Sequence, residues 1–211
     1  MRAPAKEASD MVETARDEII QLARSIRDLE RQLETALAKR RIELNYKVHD
    51  GVVRFEQVVI ARHRLLKARL LRYLFDARPA MILTAPAIYA LIIPLALLDL
   101  FVAIYQTACF PVYGIPRVRR RDYLAFDRGQ LAYLNAIEKL NCAYCSYANG
   151  VLAHVREVAA RTEEYWCPIK HARRVLGVHR RYGSFLDYGD GDAYRHELER
   201  LRAEARSGEP T

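Results

Sequence analysis

A chain of 211 residues has room for one ordinary domain or two small ones, and a hydrophobic share of 51% is enough to bury a core, which excludes a disordered polymer. The 34 Lys and Arg exceed the 26 Asp and Glu, so the net charge of +8 asks for an anionic partner, either a phospholipid surface or a nucleic acid. Cys109, Cys142, Cys145 and Cys167 are too few and too scattered for a disulfide-stapled secreted fold, and MRAPAKEASD lacks the apolar stretch of a cleavable signal peptide.

Residues 1–45 carry the cleanest periodicity. Val12, Ile19, Ile26 and Leu33 recur every seven positions, and Ala15, Leu22, Leu29 and Ala36 follow three positions after each. This is the a/d pattern of a coiled coil, and β-branched a positions with central d leucines favour a parallel pair, hence a homodimer through residues 5–40. The competing arrangement is intramolecular, with the stripe packed on the helix that follows Asp50-Gly51. NYKVHDG marks the break between the two.

Residues 52–79 are expected to form a basic amphipathic helix beside a membrane. In ARHRLLKARLLRYLFDAR, the cations Arg62, Arg64, Lys67, Arg69, Arg72 and Arg78 alternate with leucine pairs, a pattern suited to anionic headgroups. Residues 80–110 follow with one charge, Asp99, in 31 positions, against the roughly 20 apolar residues that cross a bilayer. Arg117, Arg119, Arg120 and Arg121 make the far flank basic as well, so the positive-inside rule selects no orientation. Three arrangements are open, a re-entrant hairpin bent at Pro94, a single span from Ala80 to Leu98 with Asp99 at the far interface, and a soluble alternative in which the segment is a buried core helix. In the hairpin Asp99 is an embedded carboxylate that needs a partner, and none is evident in the sequence. The Pro and Gly residues of FPVYGIP open a linker over 111–130.

Residues 131–187 read as a cysteine-containing helical hairpin, with helices Leu131–Tyr147 and Val151–Trp166 joined at Asn149-Gly150. An antiparallel return would set Cys145 near His154 and Cys142 near Glu157, two thiolates, an imidazole and a carboxylate suited to structural zinc. Cys167 and His171 in WCPIKH have the spacing of an alternative second pair, but an intact helix from Val151 to Trp166 would carry them too far away. Pro168 suits the first position of a following helix, which would make Cys167 its N-cap. Three other readings of the cysteines stay open: inert packing thiols, a redox dithiol, and iron–sulfur or haem ligation. CAYC has thioredoxin-like spacing without the preceding strand, and no phosphate loop, GxSxG or HExxH is present.

Tyrosines and the basic run HARRVLGVHRRYG suit either RNA or the headgroup layer, and the adjoining apolar segment favours lipid over nucleic acid. Residues 188–211 close the chain with a short helix and a polar tail. The expectation is therefore an all-α, membrane-anchored scaffold or adaptor, held at a bacterial-type inner membrane with its soluble parts on the cytoplasmic face. A metal-dependent or thiol redox enzyme built on the C-x-x-C pair is the alternative, and a membrane-associated RNA-binding protein the weaker one.

Overall fold

The computed structural model describes residues 3–44, 46–49, 52–69, 75 and 78–207. The fold is all-α apart from one two-stranded hairpin among the described residues, and it divides into two compact units, residues 1–65 and 66–211.

In the first unit α1 runs 41 residues, Ala3–Glu43. The uncovered side chains of Leu22, Ile26, Leu29 and Leu33, each more than half exposed, lie along it. The side chains of Val12, Ala15 and Ile19 fall outside the described set. Strands β1 (Tyr46–His49) and β2 (Val52–Phe55) pair antiparallel, His49 opposite Val52, with the two residues Asp50 and Gly51 between them. That is the spacing of a tight Asp-Gly hairpin, which the helical reading of 45–51 as a simple break did not anticipate. The next helix, α2 (Gln57–Leu65), has nine residues and ends on Arg62, His63 and Arg64. It is far shorter than the α1 stripe, and the described stripe residues Leu22, Ile26, Leu29 and Leu33 stay exposed, so packing of the stripe on this helix is not seen among the described residues. The expected amphipathic helix over 52–79 is likewise corrected: β2 takes its start, α2 ends at Leu65, and Lys67 to Arg69 are not helical. Arg62, Arg64, Lys67, Arg69 and Arg78 are exposed, whereas Arg72 lies outside the described residues.

The second unit is built on α3 (Pro79–Ala90) and α4 (Ile92–Tyr113). Pro79 at the first helical position needs no hydrogen-bond acceptor there, which suits the start of α3. Pro94 lacks the N–H that would reach Ala90, so the ladder is interrupted at Leu91, but Leu91 keeps αR geometry (φ −62°, ψ −14°) and its carbonyl still accepts from Leu95 N at 3.3 Å. The proline therefore kinks the helix without reversing it, and the re-entrant hairpin is not formed. Pro79–Tyr113 makes one 35-residue apolar helix, about 50 Å long.

Gly114 ends α4 in the left-handed region (φ 71°). Gly114 N–H donates to Pro111 O and Ile115 N–H to Phe110 O at 2.9 Å, a Schellman ending whose apolar residue, Ile115, is buried. The turn sends residues 115–124 back along α4 as a strap, irregular over 115–119 and closed by a 3-10 turn, Arg120–Asp122. Phe110, Ile115, Val118 and Val158 form the core beneath it, bordered by Val102, Tyr105, Tyr113, Tyr123 and Tyr165.

Helix α5 runs unbroken for 31 residues, Ala136–Trp166. Asn135 caps it, its Oδ1 accepting from Ile137 N and Glu138 N at 3.0 Å, while Glu138 returns a carboxylate to Asn135 N at 2.8 Å. The expected turn at Asn149-Gly150 does not exist. Gly150 is buried mid-helix because the strap crosses there: a Cβ would lie 2.8 Å from Tyr123 O and 2.9 Å from Leu124 Cγ. Glycine serves close approach here, not a bend. Helix α6 (Gly191–Ser207) packs on the end of α5 through buried Leu201 and Ala205, and Arg202 and Arg206 lie over the Tyr165 ring.

Candidate functional site

The single charge of the apolar helix, Asp99, turns inward and is buried. Arg120 of the strap grips it with both ends of its fork, Nε to Oδ1 at 3.0 Å and Nη2 to Oδ2 at 2.5 Å, and Tyr147 of α5 donates to Oδ2 at 3.1 Å. The partner invisible in the sequence comes from the basic flank after the apolar run. The hydrogen bonds it donates to Asp99 hold the Arg120 guanidinium above its ordinary range, and burial, reinforced by Asp99, pushes the Tyr147 phenol up. Arg120 is thus an ion-pair partner more than the headgroup contact expected of it. Arg117 donates to Thr107 O at 3.2 Å and Arg119 to Asp122 at 3.1 Å, while the side chains of Arg119 and Arg121 stay largely exposed.

The predicted metal site is not assembled. On one continuous helix Cys145 and His154 lie nine positions apart, about 13 Å along the axis, and Cys142 and Glu157 about 22 Å. Cys167 is about 33 Å beyond Cys145 by the same rise, so the alternative completion with His171 fails too. Cys167 closes α5 as its C-cap, and Pro168 begins no helix but one side of an isolated parallel bridge, Ile169 opposite Leu186. Among the described residues no three His, Cys, Asp or Glu side chains are placed to share a metal ion.

The structure instead groups His154 and Glu157 with charged residues on the same face of α5, at positions 154, 157, 161 and 164. Glu157 Oε1 accepts from Arg161 Nε at 2.9 Å and lies 3.4 Å from Arg181. Arg181, in the 3-10 turn Arg180–Ser184, also donates to Glu164 Oε2 at 2.7 Å, and both members of that pair are almost fully buried, at 3% and 2% exposure. Arg161 is held from the other side by Pro116 O at 2.7 Å. Burial raises the Glu164 carboxyl above the usual range, and the Arg181 and Arg161 guanidinium groups pull it part of the way back. His154 is buried under the Tyr123 ring, centroids 5.9 Å apart, and neither ring nitrogen has a hydrogen-bond partner among the described residues. Burial raises the Tyr123 phenol, so it stays a neutral donor.

A cleft of about 550 Å³ opens on this network between α5, Tyr123 and the loop Val178–Arg181. Sequence reading assigned Arg180 and Arg181 to lipid or RNA. For Arg181 that is corrected by its burial against Glu164, a partner 17 positions away that no local pattern reveals.

No protein-family model, curated protein or solved structure matches this chain. What the fold defines is a class: an all-α protein with, among the described residues, one helix, Pro79–Tyr113, long and apolar enough to cross a membrane.

Proposed function

We propose that the chain is a membrane-anchored helical scaffold acting at the membrane surface, seated by α3–α4 and paired with a second copy through α1. One observation carries the reading. The face of α3–α4 turned away from α5 is apolar and uncovered from Met81 to Val112, with Leu83 at 82% exposure and Val112 at 78%, while Asp99 points into the body. A soluble protein does not leave a face of that length in water.

Its neighbours argue for a helix lying along the interface. Tyr144 donates to Ile88 O at 2.8 Å and Tyr89 to Asn141, so the first turns of α5, with Glu138 and Lys139, run beside α3. A helix set along the bilayer normal would carry those polar groups to hydrocarbon depth, whereas an in-plane helix leaves them on the water side. Exposed Arg78, Arg119 and Arg121 then flank the embedded face on one side of the bilayer, which suits the anionic cytoplasmic leaflet of a bacterial-type inner membrane.

The protein is expected to stay in the membrane pellet through high-salt and carbonate washes. With the native cysteines replaced by serine, Arg78→Cys and Arg119→Cys should both be protected from an impermeant thiol reagent in intact cells and both react after lysis. Release by salt overturns the anchoring, and labelling of one site alone in intact cells overturns the in-plane placement in favour of a span.

A further inference from the structure

The apolar helix ends among aromatic rings and a cation with no carboxylate of its own. Val112 is 78% exposed, and Tyr113 beside it meets the indole of Trp166, the last residue of α5, with ring centroids 5.2 Å apart and planes nearly perpendicular. We propose that this end is an interfacial anchor, with Trp166 in the carbonyl layer of a bilayer and Arg206 on the phosphate of an anionic phospholipid. The inference rests on the membrane reading and names the part of the surface that fixes its depth.

The first support is the order of chemistry at this end. Uncovered apolar side chains run along α4 to Val112, the rings of Tyr113, Tyr165 and Trp166 follow, and the Arg206 side chain lies over Gly114, where an added Cβ would meet its Cγ at 3.5 Å. Hydrocarbon, ring and cation in that order match the acyl chains, carbonyls and phosphates of a bilayer edge. The second is Trp166 itself. It is stacked on two rings, Tyr113 and, at 5.3 Å, Tyr165, yet it stays 48% exposed, and its Nε1–H makes no hydrogen bond among the described residues. A half-uncovered indole with its donor unspent suits a layer that is apolar on one side and carries ester carbonyls on the other. The third is charge. Arg202 is committed to Glu199 at 2.8 Å, whereas Arg206 donates only to Tyr113 O and the Tyr165 hydroxyl, each at 3.4 Å, and has no carboxylate partner among the described residues. Held over the Tyr165 ring at 5.6 Å, it keeps Nη1 for a phosphate oxygen and its full charge for an anionic surface. The patch adjoins the uncovered face of α4, so the bilayer that covers Val112 reaches Trp166 without a second docking surface.

Trp166 is the only tryptophan of the chain, so its fluorescence reads this end alone. Full-length protein is reconstituted into phosphatidylcholine vesicles with or without phosphatidylglycerol, recovered by flotation, and quenched with acrylamide from the water or with lipids brominated near the carbonyl or near the chain end. The expected result is blue-shifted emission, loss of acrylamide quenching relative to the unfolded chain, and stronger quenching by the shallow bromines than by the deep ones. Arg206→Gln leaves the ring stack in place. In phosphatidylglycerol vesicles its emission should lie to the red of the parent's and acrylamide should quench it more, while in phosphatidylcholine alone parent and variant should coincide. A difference of the same size in phosphatidylcholine alone, or none with phosphatidylglycerol, overturns the phosphate contact. Protein that floats while acrylamide quenches Trp166 as freely as in the unfolded chain, or while the deep bromines quench it best, overturns the anchor and leaves the membrane reading standing. Shielding from both quenchers does the same and puts a protein surface over the indole. Protein that does not float overturns the membrane reading, and this inference with it.

Discussion

At Gly150 two rules of residue chemistry compete. In an open helix, glycine to alanine gains about 0.5–1 kcal/mol from backbone entropy. Here the added Cβ would meet Tyr123 O at 2.8 Å, a main-chain atom that can move only if the strap moves. Overpacking of this kind costs about 1–3 kcal/mol, so Gly150→Ala should lower the melting temperature, while Gly129→Ala, whose Cβ would meet nothing within 4 Å, should leave it unchanged or raise it. A more stable Gly150→Ala would mean that the strap does not lie against α5.

Among the elements, α1 makes the sharpest demand on a partner. Its described heptad residues Leu22, Ile26, Leu29 and Leu33 are 58–65% exposed, and the helix that follows is only nine residues long. A long isolated helix gains most of its stability from packing an apolar face, and in the proposed pairing a second copy would supply the matching stripe. Ile26→Asp with Leu33→Asp places charge in that seam and should convert a detergent-solubilised dimer to a monomer in sedimentation equilibrium, with helicity falling alongside. A monomeric parent would sink the pairing. Helix α5, in contrast, has its partners within the chain: strap, α4 and α6 all bear on it.

For the molecule as a whole, the buried pair Arg181–Glu164 couples the α5 face to the loop that carries Arg181. Burial raises the folded-state pKa of Glu164 above its unfolded value. The stability this carboxyl contributes is therefore complete below its ordinary range of about 4.3 and is lost as pH rises through the elevated folded value. Glu164→Gln cannot ionise, so the parent should lose stability relative to the variant as melts proceed from about pH 4 to pH 7. If the parent gains on Glu164→Gln over that window, attraction to Arg181 outweighs desolvation and the assignment of the shift is wrong.

Periodicity and composition by themselves determined the helical class, the long α1 with its apolar stripe and the apolar run ending near Phe110, because these depend on spacing along one helix or on the transfer of apolar residues from water. The C-terminal helix was legible for the same reason. Asn149-Gly150 misled, since a local turn signal cannot tell a bend from a crossing point, and the misreading carried the metal site with it: Cys142 and Cys145 stand together only with their own helix, far from His154 and Glu157. Asp50-Gly51 was the reverse case, a hairpin signal passed over because the strands beside it are only four residues each. Only the tertiary structure decided that Asp99 pairs with Arg120 across 21 positions, that Glu164 pairs with Arg181 across 17, and that four arginines share one cleft. Charges find partners by distance in space, and that distance is set by Gly114, which turns the strap back, and by Gly150, which lets it lie down.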